Sequence, residues 1–120
     1  MHKLMIVDDS TILRRKISRH IDDQQFKLVA TAVNGRDAVE KFKETQPDVV
    51  TMDLTMPELD GLGCIEQLIE INPDVNILVV SALSDKATGI KALELGALGF
   101  LCKPFTEIEL TDALEEIMEP

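Results

Sequence analysis

The chain has 120 residues, enough for one hydrophobic core and too few for a catalytic body with a separate substrate domain, so a single domain over 1–120 is expected. Twenty-two acidic against twelve basic residues give a formal charge of −10, which argues against direct nucleic-acid binding through a broad basic surface. No apolar run approaches the roughly 20 residues of a membrane span, and Met1-His2-Lys3 leads into only a short run, so a cytoplasmic protein without a signal peptide or membrane insertion is expected.

Short apolar runs alternate with segments of helical periodicity. A first strand is predicted over 3–7, followed by a helix over 10–20 that carries Arg14, Arg15, Lys16, Arg19 and His20. A second strand spans 27–32, and the break at Asn34-Gly35 opens a helix over 35–44. The third strand, 48–52, leads through a polar, proline-containing loop to a helix over 61–71, where Leu62, Ile65, Leu68 and Ile69 recur at helical spacing. After Asn72-Pro73 come a strand over 76–80, a helix over 85–95, a break at Gly96 and a fifth strand over 99–102. Thr106 and Glu109 stand at capping-box spacing ahead of a helix over 107–118, whose apolar stripe is Leu110, Ala113, Leu114, Ile117 and Met118. Numbered in chain order, these are β1–β5 and α1–α5. Strands β1 and β4 are continuously apolar, as parallel strands covered by helices on both faces should be, so the pattern is an α/β, (βα)5 fold. Cys64 and Cys102 lack metal-ligand spacing and read as small, mostly buried hydrophobes.

Four strands end on acidic or phosphate-handling side chains. Asp8-Asp9 follow Leu4-Met5-Ile6-Val7, Asp53 follows Val49-Val50-Thr51-Met52, Ser81 follows Ile77-Leu78-Val79-Val80, and Lys103 follows Gly99-Phe100-Leu101-Cys102. The carboxyl ends of parallel strands face one crevice, so these side chains are expected to converge. Singly, each has a plainer reading: Asp8-Asp9-Ser10 as a helix cap, Asp53 as a strand terminator, Lys103-Pro104 as a turn. Together they make a different case. Like charges about 4 Å apart repel by roughly 4 kcal/mol at an effective dielectric of ~20, more than a cap is worth. Three carboxylates facing one ammonium leave an excess negative charge suited to Mg²⁺. The segment after Asp53 is not a calcium EF-hand loop, because Pro57, Glu58 and Cys64 fall where a ligand, the glycine and the closing carboxylate belong. A cis peptide before Pro104 would aim Lys103 into the crevice, although X-Pro bonds are mostly trans.

Asp8-Asp9, the run Asp53-Leu54-Thr55-Met56-Pro57-Glu58-Leu59-Asp60-Gly61, Ser81-Ala82 and Gly99-Phe100-Leu101-Cys102-Lys103-Pro104-Phe105 together resemble the receiver domain of two-component response regulators. The resemblance covers essentially the whole chain and is greatest with the single-domain, CheY-like group. It implies a flavodoxin-like, doubly wound sheet in the order 2-1-3-4-5. It further implies that Asp53 is the phosphorylated nucleophile, with Ser81 and Lys103 completing the reactive set. Asp9 and Asp53, with the backbone carbonyl of Thr55, would ligate Mg²⁺, or Mn²⁺ as a substitute, and Asp8 would act largely through a bound water. Ser81 and Phe100 would form the switch, with phenylalanine where tyrosine often occurs. The implied partners are a histidine kinase or histidine phosphotransfer domain, docked with help from Arg14, Arg15 and Arg19, and a downstream protein on the α4-β5-α5 surface. The chain itself would be a monomer or a weak phosphorylation-dependent dimer.

Two departures from the family's pattern matter. The last helix carries Glu107, Glu109, Asp112, Glu115, Glu116 and Glu119 and no basic residue, so a basic target is expected rather than the best-known flagellar one. Thr55 and Leu83 occupy positions that tune access of hydrolytic water, and Leu83 offers no polar group, so the phosphoryl lifetime is expected not to be among the shortest. A role as a relay intermediate or phosphate sink stays open beside that of an effector. A haloacid-dehalogenase-like phosphohydrolase would need Asp-x-Asp where the chain reads Asp53-Leu54-Thr55, and a flavin carrier would need aromatic stacking partners from a chain without Trp or Tyr.

Overall fold

The computed structural model describes residues 1–54, 56, 60–82 and 86–119. Strands β1 (His2–Val7), β2 (Phe26–Ala32), β3 (Val49–Met52), β4 (Asn76–Ala82) and β5 (Gly99–Lys103) alternate with helices α1 (Thr11–His20), α2 (Gly35–Thr45), α3 (Gly61–Ile71), α4 (Lys86–Leu95) and α5 (Glu107–Met118). The sheet order is β2-β1-β3-β4-β5, with every neighbouring pair parallel. This is the flavodoxin-like arrangement expected above. Thr55 and Leu83, and Asp85 as the first residue of α4, lie outside the described residues.

Period-two alternation sends successive strand residues to opposite faces, and each face has its own core. Met5, Val7, Val50, Met52 and Val79 meet Phe42 of α2, Ile65 and Leu68 of α3 and Ala92 of α4. Leu4, Ile6, Val49, Leu78 and Val80 meet Ile17 of α1 and Leu110, Leu114 and Ile117 of α5. Each fully buried large aliphatic or aromatic side chain contributes roughly 1.5–3 kcal/mol, so the sheet is held from both sides without reliance on its polar rim.

The helix starts are fixed by side chains. Asn34 accepts from the Asp37 N–H at 2.7 Å, Asp60 from the Gly63 N–H at 2.8 Å, and Thr106 and Glu109 complete a reciprocal capping box at 3.1 and 3.0 Å. Ser10 caps α1 rather than belonging to it. Gly96, at φ +123°, closes α4 in a backbone conformation that side-chain-bearing residues rarely adopt. Strands β4 and β5 run further than the apolar pattern predicts, because Ser81 and Ala82 pair with Cys102 and Lys103. Hydrogen bonding continues past the apolar residues, which a hydrophobicity pattern does not register. Among the described residues, no helix is long and apolar enough to cross a membrane.

Cys64 of α3 is wholly buried, with its thiol 3.6 Å from the Gly35 carbonyl, whereas Cys102 is half-buried. Burial, with the Asp60 carboxylate adding to it, pushes the Cys64 thiol up from 9.0 to about 12. The folded state therefore holds this proton where the unfolded chain has lost it. The resulting stability is present below pH 9 and is lost as pH rises toward about 12. Native protein at pH 8 should leave Cys64 unmodified by iodoacetamide, and urea should expose it; rapid native labelling detected by peptide mass would contradict the burial.

Candidate functional site

The hydrogen-bond ladder continues one residue beyond β1 and β3 and sets the carboxylates in place. The Asp53 N–H donates to the Val7 carbonyl at 3.0 Å, and the Asp8 N–H to the Ala32 carbonyl at 3.1 Å. Because β1 and β3 are neighbours with Val7 opposite Met52, Asp8, Asp9 and Asp53 arrive at one point. One oxygen from each lies within 4.8 Å of the others. Asp8 and Asp53 are buried, at 1% and 5% exposure, and Asp9 is exposed.

Lys103 reaches this cluster from β5, at the far side of the sheet. Its Nζ lies 3.0 Å from Asp8 Oδ2 and 3.6 Å from Asp53 Oδ1. The Lys103–Pro104 peptide is cis. Asp8 Oδ1 accepts from the Ser10 N–H at 2.8 Å, so each oxygen of Asp8 has a donor. Ser81 is fully buried at the end of β4, opposite Cys102 and next to the Ala82–Lys103 pair. Phe100 is half-buried, opposite Val79 on β4.

Three carboxylates against one ammonium leave the cluster negatively charged, with the burial of two of them weakening solvent screening. All the side-chain donors are hard oxygens, which suits Mg²⁺ or Mn²⁺ over metals that favour sulfur or imidazole. The residues fit a divalent cation. The Thr55 carbonyl lies outside the described residues.

Three supporting features had no signal in the sequence. A Cβ on Gly61 would stand 2.6 Å from the Asp53 carbonyl oxygen and 2.5 Å from Leu54 Cα, so α3 starts pressed against the Asp53 backbone, and only glycine permits the approach. Arg14 Nη1 donates to the Asp8 carbonyl at 2.7 Å and Nη2 to Thr11 at 3.1 Å, which ties the β1–α1 turn to the helix. Lys16 Nζ donates to the Phe105 carbonyl at 2.6 Å and lies 4.4 Å from that ring's centroid, anchoring the chain just after Pro104. Of the basic residues proposed for docking, Arg14 is thus engaged locally, while Arg15 and Arg19 are exposed; all three line one groove with Ser18 and Thr31.

The response regulator receiver domain family matches residues 4–115. The chain belongs to this family. The chemotaxis protein CheY of Thermotoga maritima is 39% identical over 115 residues, covering 96% of each chain. A protein-glutamate methylesterase/protein-glutamine glutaminase of Carboxydothermus hydrogenoformans is 40% identical over 98% of this chain but only 34% of its own length. Among solved structures, the CheX–CheY–BeF3–Mg complex of Borrelia burgdorferi matches with a TM-score of 0.87 at 29% identity, over 98% of this chain and 87% of that one. CheY-type receiver domains are signalling modules, and relatives with an enzyme name carry it on a much longer chain.

Crowding of like charge gives the receiver a measurable signature. In the presence of EDTA, Asp9→Asn should raise stability by about 1 kcal/mol, a figure discounted for the exposure of Asp9. Added Mg²⁺ should stabilise the wild type more than the variant, by mass action on the folded state. Thermal unfolding with and without Mg²⁺ checks both, and a variant less stable than wild type in EDTA would contradict the electrostatic account.

Proposed function

We propose that Asp53 accepts a phosphoryl group from a histidine kinase or histidine phosphotransfer domain, and that the modified receiver controls a protein partner through α4, β5 and α5. The reading is of a chemotaxis-type regulator working in the cytoplasm. The observation that carries it is the placement of the buried Asp53 carboxylate among Asp8, Asp9 and the Lys103 ammonium.

Phosphoryl transfer asks mainly for alignment of the nucleophile and neutralisation of the equatorial oxygens. An Asp53 oxygen attacks phosphorus as the phosphorus–nitrogen bond of the phosphohistidine breaks. The electron pair returns to the imidazole nitrogen, and Asp53 becomes an acyl phosphate. Asp9 and Asp53, with the Thr55 carbonyl and with Asp8 acting through a water, would hold Mg²⁺, which would supply charge neutralisation. Lys103 exchanges part of its pairing with Asp8 and Asp53 for a phosphoryl oxygen, and the Ser81 hydroxyl donates to another. The movement of Ser81 vacates space into which Phe100 turns. Inverting a 1:99 population needs about 5.5 kcal/mol of differential stabilisation, which a few charge-assisted hydrogen bonds supply.

The partner surfaces differ in charge. Arg15 and Arg19 stand exposed on α1, within an otherwise acidic chain, and are proposed to steer the phosphodonor. On α5, Ile108, Asp112, Glu115 and Glu119 form one exposed stripe at helical spacing, which favours a target with basic residues.

Acetyl phosphate with Mg²⁺ should add one phosphoryl mass to the wild type and none to Asp53→Asn, by intact mass spectrometry. Equal labelling of the variant would move the acceptor elsewhere. Charge reversal at Arg15 and Arg19 should slow transfer from the cognate phosphohistidine about tenfold or more at low salt, by loss of steering, while leaving acetyl phosphate labelling unchanged. An unaltered phosphohistidine rate would remove α1 from the docking surface.

A further inference from the structure

Helix α4 buries its small residues and exposes its large ones. Gly89 and Ala92 are its fully buried residues, while Ile90 and Leu93 are 51% and 43% exposed. The reason lies on β5. A Cβ built on Gly89 would stand 2.5 Å from Phe100 Cδ2 and closer still to Cε2, a separation that real Cβ atoms essentially never show. The Phe100 ring therefore lies in the notch left by the missing side chain and occupies the place where an ordinary helix would put its own core residue. Glycine is a poor helix former and gains nothing by facing water here, so its position is explained by the ring that it admits.

We propose that Gly89 is a positioning residue for Phe100: it seats the ring against α4 and thereby holds back the inward turn toward Ser81. This rests on the reading of Phe100 as the switch residue given above. The same helix carries the exposed Ile90 and Leu93, so the ring is seated beside an apolar part of the α4 surface. A methyl group on residue 89 displaces the far edge of a rotatable side chain rather than backbone, so the ring can leave without unfolding the domain. If the ring and the phosphoryl site are coupled, whatever disfavours the seated ring tightens binding at Asp53 by up to the factor by which it shifts the ring's equilibrium.

The test uses the full chain and beryllofluoride with Mg²⁺, the pair named with the Borrelia burgdorferi CheY. Affinities are read by 19F NMR titration on the wild type, Gly89→Ala, Phe100→Ala and the double variant. Gly89→Ala should tighten beryllofluoride binding about fivefold or more, and the same substitution in the Phe100→Ala background should change it by less than about twofold. The cycle matters because alanine also strengthens the helix itself, an effect that would survive removal of the ring. The double variant relieves the overlap, which keeps the comparison available if the single variant folds poorly. Unchanged or weaker binding by Gly89→Ala, or equal tightening with and without the ring, would overturn the proposal while leaving Asp53 as acceptor. A wild type that fails to bind beryllofluoride would overturn the phosphoacceptor reading and this proposal with it.

Discussion

The rest of the site depends on one electrostatic constraint: the backbone holds Asp8 and Asp53 close together, with Asp9 beside them. The Val7–Asp53 and Ala32–Asp8 hydrogen bonds continue the ladder into the polar rim, so each of these carboxylates is fixed by a backbone contact on the neighbouring strand. Side chains left to themselves would move apart. The two-sided hydrophobic core supplies the free energy that prevents it, and Lys103 and the Ser10 N–H offset part of the repulsion at Asp8. Among the described residues, three carboxylates stand against one ammonium, and this hard-oxygen lining is the chemical basis for preferring a divalent cation.

Small residues set the spacing around this charge. Gly61 lets the start of α3 press on the Asp53 backbone, and Gly89 lets α4 close over Phe100. In both places a helix comes nearer the sheet than a side chain would allow, once at the Asp53 backbone and once at the Phe100 ring. These contacts stiffen the polar rim through packing, where additional polar contacts would each carry a desolvation cost.

Much of this was legible in the sequence, for physical reasons. Burial of β1 and β4 on both faces leaves an uninterrupted apolar signature, and the period of the helices separates them from the strands, so element order and sheet type follow from pattern. Convergence of Asp8, Asp9, Asp53 and Lys103 follows from parallel topology alone. The misses share one character. The extension of β4 and β5 through Ala82 and Lys103 is carried by hydrogen bonds between residues that are not an apolar run. Gly61 read as a helix start and Gly89 as an unremarked helix residue, because a sequence shows which side chain is missing and not what fills the space. Arg14 read as one member of a basic docking cluster, and only the fold reveals its bond to the Asp8 carbonyl.

The placement of charge bears on how one small domain serves two partners. The exposed arginines of α1 and the acidic stripe of α5 lie on helices that pack on the same face of the sheet, and His20 at the end of α1 stands 3.4 Å from Glu107 at the start of α5. Surfaces of opposite sign so close together attract partners of opposite sign, and a partner suited to one is repelled by the other over about a Debye length. Under the proposed function, an acidic phosphodonor would be kept off α5 and a basic target off α1. Charge would then separate the two encounters, while on the proposed function phosphorylation would act on the apolar and aromatic surface where Phe100 meets α4. On this account ionic strength changes how quickly partners are found, and the modification changes how long the target stays.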